Sequence, residues 1–444
     1  MPITQTVRSV RTSLPLGLAA GCAAALVFAD ATPARAVEAT PDLVTLHRSQ
    51  GPAGLAKLLA EYDQLPVGRD RDELSHVIDQ VAQQRYATVS RLYWYTDFTQ
   101  ATAAARATQR PILALRMLGK LDEELSCANS RLFRSVLYAN IEVSQLMRDH
   151  FVLYWSSERP VPKVTIDMGD GRVIQRTTTG NSAHYVLDAN GNVLDVLPGL
   201  YAPKLFKEEL VKSLQLANTT RNEFIYNADP KKRTQTVTDF HRTALTERSA
   251  AYAKFAGGRY SGGGHRSFVP KLAAAQRATM SKRVMEMPDL TQFGMDPGQI
   301  ARDDIEQWAM IGTRLWSIGS DQIQPAGNTT RPQAYNTFDT RSLHLISWLH
   351  DVGMPATSET ARNAMVNRLE FSVIADSALN ELVLRQQIRA KLVAEPGLPL
   401  EQLNAWIYAE VFHTPASDAW LGLAPRTDFT GLPGDGLGYR LPQR

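Results

Sequence analysis

The chain has 444 residues, 44% hydrophobic and 21% charged, with 28 Gly, 24 Pro and two Cys. That balance excludes wholesale disorder, collagen-like repeats and a disulfide-stapled miniprotein, and the length suffices for two or three domains that each bury a core. The 48 Lys+Arg nearly cancel the 45 Asp+Glu, and a net charge of +3 is no footprint for a nucleic-acid partner.

The first 36 residues read as a secretory signal: Arg8 and Arg11 open it, an apolar run extends from Leu14 to Phe28, and Ala34-Arg35-Ala36 offers a small-x-small site with cleavage before Val37. The run is short of the ~20 residues that a membrane-spanning helix requires, and no later segment reaches that length. Removal of the signal takes away Arg8, Arg11, Arg35 and Asp30, which leaves +1. A second reading takes Leu18-Ala19-Ala20-Gly21-Cys22 as a lipobox with Cys22 lipidated. Against it, the apolar run continues past Cys22, and Ala19 stands where a larger aliphatic is usual. The expected address is therefore periplasmic or secreted. With Cys22 removed, Cys127 is the one remaining thiol and no internal disulfide forms.

Residues 37–90 are expected to form a helical lead-in. Leu55, Leu58, Leu59 and Tyr62 make one apolar stripe, Leu74, Val77, Ile78 and Val81 make another, and Pro66-Val67-Gly68 turns between them. From Arg91 the pattern alternates between strand and helix. Leu92 to Tyr95 is a short aromatic strand, and Asp97 caps an Ala-rich helix that runs to about Gln109. Pro111 to Leu118 suits a central strand covered on both faces. A polar loop with Asp122, Glu123 and Glu124 leads to Cys127 and a helix with Leu132, Phe133, Val136 and Leu137. That helix breaks near Asn140 and resumes to His150, and Phe151 to Trp155 is the next strand. Asp170-Gly171 and Asn190-Gly191 each sit between alternating apolar runs and mark two hairpins. Pro203 opens a helix carrying Leu205, Phe206, Leu210 and Leu214.

From about residue 219 the pattern is helical, with candidate helices around Leu272 to Met280 and around Ile305 to Trp316. Residues 358–394 fit one long helix or two joined at Asp376. The expected fold class is an α/β domain with a central mixed sheet flanked by helices over 91–217, then an all-α C-terminal domain over 218–412 and an irregular tail over 413–444.

The stretch from Arg91 to Leu216 resembles the thioredoxin-like fold. More closely, it resembles bacterial thioredoxin-like proteins in which an aromatic strand and an Ala-rich helix precede a Pro-Ile/Leu strand and a Cys-x-x-Cys helix start. A "His-Phe-Val" strand follows in them, as in Asp149-His150-Phe151-Val152, and later an Asp-x-x-Gly turn, as in Asp188-Ala189-Asn190-Gly191. The second Cys of the pair falls on Ser130 in Cys127-Ala128-Asn129-Ser130. The cis-Pro that shapes the peptide-binding edge beside the thiol falls on Ser182, after Asn181. One sulfur cannot cycle a dithiol within one molecule, so a thioredoxin-type reductase is excluded unless a partner thiol resolves the intermediate. Cys127 is then inert and structural, or a reactive monothiol whose thiolate Ser130, Arg131 and Arg134 would stabilise, or disulfide-bonded to a partner. Asp122, Glu123 and Glu124 would oppose a thiolate if they folded back on it.

Elsewhere, the Gly-rich stretch from Gly257 to Gly264 lacks the surroundings of a P-loop and reads as a link between helices. His344 and His350 are six apart, which does not put both on one helix face, and no zinc or iron motif is present. Glu158, Arg159 and His184 are candidates for lining a pocket. Trp420, in the turn-rich tail, is either a plug on the helical body or part of a docking segment. The expected function is a non-redox binding or scaffold module of the cell envelope, without cofactor or metal, that holds an exported protein or peptide partner through Asn181, Ser182 and Trp420. The alternative is a monothiol thiol-disulfide oxidoreductase or isomerase with Cys127 as nucleophile and Ser130 beside it.

Overall fold

A computed structural model describes residues 41–178, 180–227, 229–257, 302–316, 337–352, 357–418 and 421. The expected signal, the candidate helix around Leu272, the glycines from Gly258 to Gly264, Trp420 and the tail from Gly422 lie outside the described residues.

The lead-in comprises α1 (Pro41–Ser49), α2 (Pro52–Gln64), α3 (Arg69–Ala82) and α4 (Ala87–Ser90). The two stripes legible in the sequence meet, so that Leu55, Leu58 and Leu59 pack on Leu74, Val77, Ile78 and Val81 in a core of their own, closed by Tyr93. Arg48, at the end of α1, fastens this layer to the sheet. Its guanidinium donates to Val81 O at 3.0 Å and to Trp94 O at 2.9 Å, and it lies over the Tyr93 ring.

The strands are β1 (Trp94–Tyr95), β2 (Ile112–Leu118), β3 (Val152–Arg159), β4 (Lys163–Asp167), β5 (Val173–Thr177), β6 (Ala183–Leu187) and β7 (Val193–Pro198). Among the described residues, β1-β3-β2-β6-β7 form a mixed sheet in that order, while β4 and β5 pair only with each other as a hairpin insertion. β1 and β2 run parallel to β3, and β6 and β7 return antiparallel. Every residue of β2 is buried, as its apolar run, broken only by the ion-paired Arg116, requires of a strand covered on both faces. Helices α5 (Phe98–Thr108), α7 (Ile141–His150) and α8 (Pro203–Asn227) pack against this sheet. Asp97 accepts the Gln100 N–H at 2.8 Å at the start of α5, and Asn140 caps α7 at Val143 N.

β1 is shorter than the aromatic run Leu92 to Tyr95 suggested. Arg91 sits in the left-handed region at φ 57°, so the chain is still turning out of α4 when Leu92 begins, and only Trp94 and Tyr95 reach the register of Leu153 and Tyr154.

The helical part contains α9 (Pro230–Gly257), α10 (Arg302–Trp316), α11 (Thr340–Asp351), α12 (Glu359–Leu379), α13 (Arg385–Ala394) and α14 (Leu400–Trp406). The run from Glu359 to Ala394 does not break at Asp376. It continues through a single π turn at Asn380–Leu384, and similar turns follow the short helix α6 (Ala128–Leu132) and α14. Gly312 of α10 allows a close crossing with α12, since a Cβ there would lie 2.8 Å from Ile374 O. One core joins the two parts: Ile112, Leu115 and Val196 of the sheet belong to the same packed cluster as Trp308, Ile374, Leu403 and Val411. No described helix is long and apolar enough to cross a membrane.

Candidate functional site

Cys127 stands where β2 hands over to α6. The chain leaves β2 through Gly119, loops over Leu121 to Ser126 and returns, with Cys127 N–H donating to Leu118 O at 3.4 Å. Cys127 is extended at the N-cap of α6, and its carbonyl accepts the Arg131 N–H. Its side chain is wholly buried and free of any disulfide. Gly180, at φ 101°, presses against it so closely that a Cβ there would stand 2.7 Å from Cys127 Cβ. The sulfur lies 3.5 Å from Ser182 Oγ.

This pairing differs from the one the Cys-x-x-Ser spacing suggested. Ser130 Oγ donates to Ser126 Oγ at 2.5 Å, away from the thiol, because the first turn of α6 carries it back toward the loop. Arg131 is directed to Thr177 Oγ1, and Arg134 to the carbonyls of Leu121 and Glu123 and to Ser126 Oγ. The acidic run does not fold onto the sulfur through Glu123 or Glu124. Glu123 pairs with Lys120, while Glu124 pairs with Arg85 and accepts from Tyr86. His184, two residues beyond Ser182, meets Tyr138 OH through Nε2 at 2.7 Å among Phe133 and Phe206. Burial pushes its imidazole down to about 3, so the ring is neutral. Glu158 pairs with Arg116 and accepts from Asn404 Nδ2.

The strand edge beside the thiol is covered by the chain's own C-terminal segment. Tyr408 OH donates to Asn181 O at 2.9 Å, Asn181 Nδ2 donates to Phe412 O, and Tyr185 OH donates to Asn404 Oδ1 at 2.8 Å. Arg116 is bridged to both Glu158 and Glu401. Beyond the last π turn, Arg159 donates to Thr414 O and Asp418 O, each at 3.0 Å, and straps the segment down. Ser182 thus lies beside the thiol, Asn181 meets the C-terminal segment, and both are buried.

A second cluster went unnoticed in the sequence. Arg385 reaches Asp195 at 2.6 Å, Glu209 at 2.7 Å and Glu381 at 2.8 Å. Arg389 reaches Glu381 at 2.8 Å, and Arg248 reaches both Glu209 and Glu381. Burial alone would raise the Glu381 carboxyl, but Arg385, Arg389 and Arg248 together hold it well below the usual carboxylate range. Asp195 is likewise held low, against its burial, chiefly by Arg385. Asp195 and Glu381 therefore stay ionised and have no proton to give, and the cluster is a fastening between β7, α8, α9 and the π turn at Asn380–Leu384. The signal was present in Glu381-x-x-x-Arg385-x-x-x-Arg389, a spacing that lines one helix face. Among the described residues no group of three His, Cys, Asp or Glu side chains is placed to hold a metal ion.

No family model matches the chain, and no curated protein or solved structure is similar to it.

Proposed function

We propose that this chain is an exported thioredoxin-like protein that serves as a non-redox binding or scaffold module of the cell envelope. The strand order β1-β3-β2-β6-β7, with β6 and β7 antiparallel and a Cys at the helix start after β2, supports the thioredoxin-like reading of residues 91–217. The observation that carries the non-redox reading is the seal over Cys127: a wholly buried thiol, no second cysteine beside it among the described residues, and the Asn181–Ser182 edge taken by Tyr408 and Phe412. Where relatives of this kind offer that edge to a peptide, this chain lays its own segment there, so a partner is held on the outer surfaces.

The test is thiol labelling of the full chain at neutral pH with a chromogenic disulfide reagent, beside an insulin-reduction assay. The expected result is labelling slowed at least a hundredfold relative to the chain in denaturant, and no reductase activity. Rapid native labelling, with turnover that disappears in Cys127→Ala, would replace this reading with the monothiol enzyme.

A further inference from the structure

We infer that the cavity between α6, the π turn at Phe133–Leu137, and helices α11 and α12 is a binding site for an organic acid with an apolar body, such as a medium-chain carboxylate. The cavity has a volume of about 420 Å³. That falls within the roughly 300–1,000 Å³ of small-molecule sites. Its apolar walls are Leu132, Ile346, Leu349, Met365 and Leu369, and its cations are Arg131, Arg134 and Arg368. The carboxylate on its rim, Glu124, is already engaged by Arg85 at 2.6 Å and by Tyr86 OH at 2.6 Å. With Glu124 so engaged, Arg134 and Arg368 set positive charge against the hydrocarbon of the lining.

Arg134 decides the sign of the ligand. It is 1% exposed, and its guanidinium donates to the carbonyl oxygens of Leu121, Glu123 and Glu124 and to Ser126 Oγ. No carboxylate lies within ion-pair distance of it among the described residues, and its Nε–H has no acceptor there. Buried charges are ordinarily paired, because neutral dipoles replace only part of the hydration that a cation loses. Burial also lowers the Arg134 guanidinium from its ordinary value, and Tyr86 and Glu124 offset that only in part. A ligand carboxylate supplies a counter-charge, and its chain covers Leu349, Met365 and Leu369. An inorganic anion would leave this apolar wall bare, and a neutral lipid would leave Arg134 unpaired.

The experiment is calorimetric titration of the full chain with decanoate below its micelle concentration, with 1-decanol as the uncharged counterpart. Saturable uptake of one decanoate per chain is expected, at least tenfold tighter than decanol. Arg368→Ala, at an exposed position, is expected to weaken it at least fivefold, and Met365→Trp, which fills the cavity, to abolish it. Circular dichroism checks that each variant keeps its fold. Equal affinity for the acid and the alcohol, absence of saturable uptake, or undiminished binding by a folded Met365→Trp chain would each overturn the inference.

Discussion

Arg385 and Arg134 are both withdrawn from water, yet one is met by Asp195, Glu209 and Glu381 and the other by carbonyl oxygens. The carboxylates around Arg385 come from β7, α8 and the π turn after α12, as much as 190 residues away in sequence. They neutralise one another only when the sheet and the C-terminal helices have come together, so the charge there specifies the tertiary fold. The acceptors of Arg134 lie within 13 residues of it, and they shape one loop without cancelling its charge. The first region is electrically closed. The second leaves a cation that faces a cavity.

The sharpest way to break this contrast is to remove one counter-charge from the closed cluster. Glu381→Gln leaves Arg385 and Arg389 short of an anion and is expected to cost about 3–5 kcal/mol of stability in urea unfolding. Arg134→Met loses hydrogen bonds but removes an unpaired charge, and is expected to cost about 1–2 kcal/mol. Equal losses would show that the two arginines are compensated alike.

At the thiol, Gly180→Ala places a Cβ against Cys127 and puts Ala at a positive φ, with an expected loss of about 1–3 kcal/mol. Cys127→Ala should not relieve it, because the clashing atom is Cβ; rescue by that second change would contradict the geometry.

The pH dependence sharpens the comparison further, since two buried groups act in opposite senses. His184 has its folded value depressed to about 3 from 6.5 by burial, so the stability it contributes is whole above 6.5 and is lost as pH falls toward 3. Asp79, buried beneath α4, is raised from 3.8 to about 6 by burial, against the Ala87 N–H and Arg85. Its contribution is whole below 3.8 and is lost as pH rises through about 6. Denaturation midpoints between pH 4 and 7 should therefore fall more steeply with acid in Asp79→Asn than in the parent, and less steeply in His184→Gln. The smallest effect is expected for Ser182→Ala, below about 1 kcal/mol, because among the described residues its hydroxyl meets a weak sulfur partner.

Much of the fold is legible from local chemistry. Asp97 announces a cap, Asn190-Gly191 a hairpin, and the two lead-in stripes a helix pair, because each signal lies within a few residues of the element that it builds. The Cys127–Ser182 proximity was legible only through the resemblance, which set Ser182 at the position beside the thiol. Ser130 was misplaced because spacing along a helix gives a direction only when the preceding loop is known, and here the loop offers Ser126. The Arg385 cluster was missed for a different reason. Asp195 sits in an apolar strand and Glu209 among the charges of an amphipathic helix, and nothing within either segment tells that a cation arrives from far downstream. The π turn at Asn380 also has no periodic signature; Asn380 Nδ2 donates to Leu200 O at 2.7 Å, a tertiary bond that sequence windows do not contain.

The bond between Tyr408 and Asn181 spans 227 residues, which sets an order of events during synthesis. A ribosome delivers β6 long before it delivers the segment that will cover it, so the nascent sheet waits with an open flank while half the protein is still being made. Such long-range closure is slow and leaves the waiting surface available to chaperones. Until Tyr408 has been made, the edge at Asn181 has no cover from this chain.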